Sequence, residues 1–189
     1  NIEFGHYAAW VFRTTLDQKY EGNIHFTSID IKYLNQSELS FQLRKTKDFL
    51  YYPFDPTRTE NSTPLPANKY YDYTQYVISY RSPSRNLFNT RSTVGYGSFY
   101  NGTGFSIQNN LSFRKQPIFN VSLRLNYDSI KLPDPYPSRD IWLITPKFEF
   151  TFTKKTFWTT YIQFSSQSEN LGINSRLQWR FAPLSDLYL

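Results

Sequence analysis

Charged and amide side chains recur at every second residue inside otherwise apolar runs, and they are the groups in this sequence best placed to do chemistry. Arg124 and Asp128 alternate with Leu123, Leu125 and Tyr127, and Lys147 and Glu149 alternate with Phe148 and Phe150. Asn174, Arg176, Gln178 and Arg180 alternate with Ile173, Leu177 and Trp179. A spacing of two puts each set on one side of an extended strand. On adjacent or near-adjacent strands these side chains would converge on one polar surface, and two kinds of chemistry are open to it. A surplus of Arg and Lys would form a basic lumen selective for anionic solutes. Alternatively, Glu149 and Asp128 would neutralise neighbouring cations in a salt-bridged ladder.

Catalytic and metal chemistry have less to work with. The sequence holds two histidines, His6 and His25, and no cysteine. On neighbouring strands the imidazoles could approach one another, as a hydrolase at a barrel rim would need, with a Ser or Asp beside them. No nucleophile elbow and no metal-ligand spacing accompanies them. They are expected to be ordinary strand residues. No catalytic residue, cofactor or metal ligand is therefore assigned, and the chain is not expected to be an enzyme.

The elements that must position the polar groups are strands. Residues 171–181, LGINSRLQWRF, keep a period of two over their whole length, with Leu171, Ile173, Ser175, Leu177, Trp179 and Phe181 opposite Gly172, Asn174, Arg176, Gln178 and Arg180. A helix would spread the same apolar residues right round its axis. Similar patterns predict strands over 6–16, 24–34, 38–51, 70–81, 87–100, 104–114, 118–129, 141–153 and 157–167, with a further one beginning at Asp186. In 70–81 the two faces do not separate by pattern. Lys45 and Lys47 share a parity with Leu39, Phe41 and Leu43, and are expected beyond any hydrocarbon layer. Asn101-Gly102 reads as a hairpin turn in which both residues accept positive φ.

Composition supports strands and narrows the setting. Aromatic residues make up 20% of the 189 residues, with 16 Tyr and 17 Phe, which favours pleated, half-buried surfaces. No stretch approaches the roughly 18 apolar residues of a membrane helix. Barrel strands evade that criterion, because alternate residues face the lumen. The net charge of +6 comes from scattered basic residues rather than a tract, so nucleic acid is not an expected partner.

Connection lengths carry the topology. Connections at 35–37, 82–86, 115–117, 154–156 and 182–185 are all short and fall on one side. The other side holds every long loop, 17–23, 53–69 and 131–140, besides two tight turns. That asymmetry predicts an all-β, up-and-down antiparallel transmembrane barrel of about ten visible strands, part of a larger one. Tyr33, Trp142, Trp158, Trp179 and Phe181, near strand ends, would then form interfacial aromatic girdles. The alternative is a soluble β-sandwich binding module, with the same aromatics in a dry core and loops of mixed length at both ends.

Residues 170–189, NLGINSRLQWRFAPLSDLYL, resemble the C-terminal barrel region of large outer-membrane proteins of Bacteroidota that pair a carbohydrate-binding-module family 9-like sandwich with a domain labelled DUF5916. The likeness rests on Asn174, Arg176, Leu177, Trp179, Arg180, the Pro183 turn and Ser185-Asp186-Leu187. It implies a pore or membrane anchor in envelope transport or glycan handling, in the outer membrane of a Gram-negative bacterium. Residues 1–189 would be a single barrel region cut at both ends. Expected partners are outer-membrane lipid and lipopolysaccharide, with envelope proteins or glycans at the loops 53–69 and 131–140. Asp128-Ser129-Ile130 also resembles a short O-glycosylation motif of these bacteria.

Overall fold

The computed structural model describes residues 1–12, 20–182 and 184–189. The expected strand residues 13–16, the loop residues 17–19 and Pro183 of the expected turn lie outside them. Among the described residues the chain is all β, without helix. Its strands are β1 (Ile2–Phe12), β2 (Tyr20–Lys32), β3 (Glu38–Leu50), β4 (Lys69–Arg81), β5 (Phe88–Phe99), β6 (Gly102–Lys115), β7 (Phe119–Lys131), β8 (Arg139–Thr153), β9 (Thr156–Ser165), β10 (Asn170–Ala182) and β11 (Ser185–Tyr188). All eleven lie in one up-and-down antiparallel sheet in chain order, with β1 and β11 as its edges. A Greek-key sandwich would divide and reorder them.

Two expectations about turns are corrected. Glu21-Gly22-Asn23 is strand rather than loop, with Gly22 opposite Val11 on one side and Asp48 on the other. A Cβ on Gly22 would lie 2.1 Å from the Lys47 carbonyl oxygen, so this glycine permits close backbone approach within the sheet and does not break it. At the β5–β6 hairpin the left-handed residue is Tyr100 (φ 50°), and Gly102 already belongs to β6.

The chain divides into two compact units. One comprises Asn1–Tyr80, Thr93–Ile107 and Asp128–Asp140, and the other Arg81–Ser92, Gln108–Tyr127 and Ile141–Leu189. In the first unit large apolar side chains are exposed along one face of β4 and β5, whereas a soluble sheet buries its apolar face. On β4, Tyr71, Tyr73, Gln75, Val77 and Ser79 are buried or half-buried, whereas Tyr76 (64%), Ile78 (48%) and Tyr80 are exposed. On β5, Gly95 and Gly97 are buried while Val94 and Tyr96 (58%) are exposed. Ser79 and Thr93 share a 3.1 Å hydroxyl contact, and a Cβ on Gly95 would meet Val77 and Ser106, so these small residues pack on one face. Lys47 meets Asp72 at 3.7 Å and lies over the Tyr70 ring, which puts the even residues of β4 with Phe41 and Leu43 on the opposite, apolar face.

Buried apolar side chains are few among the described residues: Leu65, Tyr71, Ile130 and Leu132. All lie in or beside the long connections of the first unit.

Candidate functional site

The second unit carries most of the polar groups expected on one face, and its strand register aligns them. Lys147, Tyr161 and Asn174 stand side by side across β8, β9 and β10, followed by Glu149, Thr159 and Arg176, then Thr151, Phe157 and Gln178. Residues opposite one another in an antiparallel ladder point to the same side. Hydrogen bonds extend that face across β6 and β7. Asn120 donates to Glu149 (2.6 Å), Ser112 donates to Asn120 (3.3 Å), and Arg124 Nε donates to Asn110 (3.1 Å).

Two ion pairs lie on this face, and two of its arginines stand outside them. Lys147 pairs with Glu149 at 2.7 Å, and Arg180 pairs with Asp186, directly opposite on β11, at 3.1 Å. Asp186 is a partner that alternation within one strand could not reveal, because it lies beyond the turn. Arg124 and Arg176 form no ion pair among the described residues, and Arg176 instead lies over the Tyr188 ring at 5.4 Å. Asp128, at the loop end of β7 in the first unit, is half-buried and forms no ion pair among the described residues, so it is no member of the ladder.

The opposite face of the second unit is aromatic. Phe113, Phe119, Phe150 and Trp158 form a continuous ring-to-ring row across β6, β7, β8 and β9, with centroid separations of 5.5, 6.1 and 5.4 Å. Trp179 and Phe181 (5.9 Å apart) fall at the same end of β10. Each of these residues is close to a short connection. Trp142 lies toward the other end of β8 and packs on Tyr127 at 4.3 Å. Tyr33 is exposed beside the short turn after β2.

Near the loop end of β9 and β10 a cleft of about 330 Å³ opens among Tyr161, Gln163, Ser165, Ser168, Asn170, Gly172, Ile173 and Asn174. Its lining offers neutral hydroxyl and amide groups, suited to hydrogen bonding with uncharged polar solutes.

In the first unit, the long connection after β3 is an ordered structure. Phe54 and Leu65 pair across it, and Leu65 (1%) and Thr57 (0%) are its most buried residues. Asp55 organises its tip. One carboxylate oxygen accepts from the Thr57 backbone and hydroxyl (2.8 and 2.7 Å), the other from the Thr59 backbone and the Ser62 hydroxyl (2.8 and 2.6 Å). Burial acts to raise the Asp55 pKa, but the bonds from Ser62, Thr57 and Thr59 outweigh it and hold the carboxyl below its ordinary value. Arg139, at the start of β8, donates to the carbonyls of Thr57 (3.5 Å) and Arg58 (3.1 Å). The connection after β3 is thereby tied to the start of β8, four strands on from β4 in the sheet order.

Beneath it, Tyr100 contacts Phe54, Tyr71, Tyr73 and Phe99 within 5.8 Å. Burial above all, then Tyr73, Asp48 and Tyr71 nearby, pushes the Tyr100 phenol above its usual range. This cluster and the Asp55 cage were not foreseen from sequence, although Asp-x-Thr is a known side-chain-to-backbone turn signal.

The histidines meet as expected of neighbouring strands, with rings 5.9 Å apart. Among the described residues His6 also meets Thr27 (3.0 Å), and His25 lies 5.7 Å from the Trp10 ring. Ser129 of the Asp-Ser-Ile motif is buried at 7% exposure, a poor position for glycan attachment. No protein-family description, curated protein or solved structure matches this chain.

Proposed function

We propose that this chain is a membrane-embedded β-barrel region of a Gram-negative outer membrane, serving as a pore or as the anchor of an envelope protein. The observation that carries this is the exposure of large apolar side chains along one face of β4 and β5. Tyr76, Ile78, Val94 and Tyr96 are exposed, while the glycine- and hydroxyl-bearing face of the same strands is packed. An exposed apolar face of this extent is unfavourable in water and stable in hydrocarbon. The strand lengths agree, since β1 to β10 run from 10 to 15 residues and suit a tilted crossing.

On this reading the aromatic row from Phe113 to Trp158, with Trp179 and Phe181, is the girdle at the short-turn side, and Trp142 with Tyr127 belongs to the other. Arg124, Lys147, Glu149, Asn174, Arg176, Gln178 and Arg180 line the interior, with Asp128 at its loop end. The 51–68 connection caps the outer mouth and, with the 132–138 loop, is the surface for envelope proteins or glycans.

The test is extraction. Native membranes should release the chain to detergent and not to urea or carbonate, and the folded form should migrate faster on a gel before boiling than after. Recovery as a soluble monomer without detergent would refute the proposal.

A further inference from the structure

Charge is distributed very unevenly between the two units. The second unit holds eleven of the chain's 21 Lys and Arg but three of its 15 Asp and Glu. Of those three acids, Glu169 lies in the connection between β9 and β10, and the other two are already engaged, Glu149 by Lys147 and Asp186 by Arg180.

Four arginines on the polar face are left without a carboxylate. Arg91, Arg114, Arg124 and Arg176 form no ion pair among the described residues. Their face follows from strand alternation together with neighbours whose contacts fix it. Arg124 reaches Asn110, which shares its parity on β6 with Ser112 and Arg114, and Ser112 meets Asn120. Arg176 stands in line with Thr159 and Glu149. Arg91 shares its parity on β5 with Thr93 and Gly95, the packed polar side of that strand.

Neutral partners hold three of these guanidinium groups. Arg114 donates to the Ser84 carbonyl at 2.9 Å, Arg124 to the Asn110 amide oxygen, and Arg176 lies over Tyr188. Such partners fix position while leaving the charge uncompensated. An arginine is always charged, and its planar fork matches the two oxygens of a carboxylate or phosphate.

We infer that this polar face is a selectivity strip for small oxyanions, with Arg91, Arg114, Arg124 and Arg176 as its recognition groups. The inference rests on the proposed membrane reading, in which that face lines the interior. Fixed cations facing an enclosed path raise the local concentration of anions and exclude cations. The paired Lys147 and Arg180 contribute little, because their charge is already balanced.

The experiment is reversal-potential measurement on the full chain, extracted from its own membrane and reconstituted in a planar bilayer under a potassium chloride gradient, with inorganic phosphate as the probe. A combined Arg91→Gln, Arg124→Gln, Arg176→Gln variant removes exposed guanidinium groups and spares half-buried Arg114. The parent should prefer chloride over potassium by roughly tenfold, and phosphate should depress its chloride current. The variant should lose both properties, with a permeability ratio near one. Cation preference, equal selectivity in parent and variant, or no conductance at all overturns the oxyanion strip. A heat-modifiable, detergent-extracted chain in any of those cases leaves the membrane barrel standing, whereas its absence removes the barrel itself.

Discussion

Phe150 and Trp158 stand directly opposite one another across the β8–β9 ladder, with rings 5.4 Å apart and only 17° from parallel. The indole also donates from Nε1 to Ser175 on β10 at 3.0 Å, so this one residue ties three strands together at the short-turn end. Offset-stacked aromatic pairs contribute beyond the area they bury. Phe150→Leu and Trp158→Leu should therefore couple by about 1 kcal/mol in a double-mutant cycle read from urea unfolding. Strict additivity would show that the stacking has no energetic role.

Ile173 and Asn174 are consecutive, both exposed, and on opposite faces of β10. In water, arginine at either position would be nearly neutral for stability. If Ile173 meets hydrocarbon, Ile173→Arg should cost about 2 kcal/mol on refolding into vesicles, while Asn174→Arg costs almost nothing. Equal effects at the two positions would contradict the assignment of faces.

Asp55 gives the outer connection a defined response to pH. Its carboxyl pKa is depressed in the folded chain, so its contribution to stability is present above the unfolded value, about 3.9, and is lost as pH falls through the lower folded value. The Thr57 and Thr59 amide protons, which both bond to it, should shift with a midpoint below 3.9 in NMR titration. A midpoint at or above that value would contradict the cage. Asp55→Ala should destabilise the connection by about 2 kcal/mol, because it strands several donors together, and should open 51–68 to protease.

Much of the sheet was legible because alternation is a local property. Within their own strands, Lys147 with Glu149, and Asn174 with Arg176, Gln178 and Arg180, could each be grouped on one side from parity, as could Arg124 on β7, and the register aligns those on β8 and β10. Composition misled at Glu21-Gly22-Asn23, where turn-forming residues lie in a strand because a neighbouring carbonyl needs the space a side chain would fill. The faces of β4 were illegible because tyrosines occupy both parities, at Tyr71 and Tyr73 as well as at Tyr70, Tyr76 and Tyr80. Only packing against Tyr100 and the buried Gly95 and Gly97 separates them. The Arg139 contact with Thr57 and Arg58 joins residues more than eighty positions apart, beyond the reach of any local pattern.

The most direct measurement is quenching of tryptophan fluorescence by brominated lipid, in vesicles carrying variants that keep a single tryptophan at Trp142, Trp158 or Trp179. Lipid contact at the two rims predicts quenching of all three, stronger for bromines near the head groups than for bromines at mid-bilayer. Emission unaffected by bromine at every depth, from a chain that remains in the aqueous phase, would contradict the claim that the aromatic face of this sheet meets a membrane.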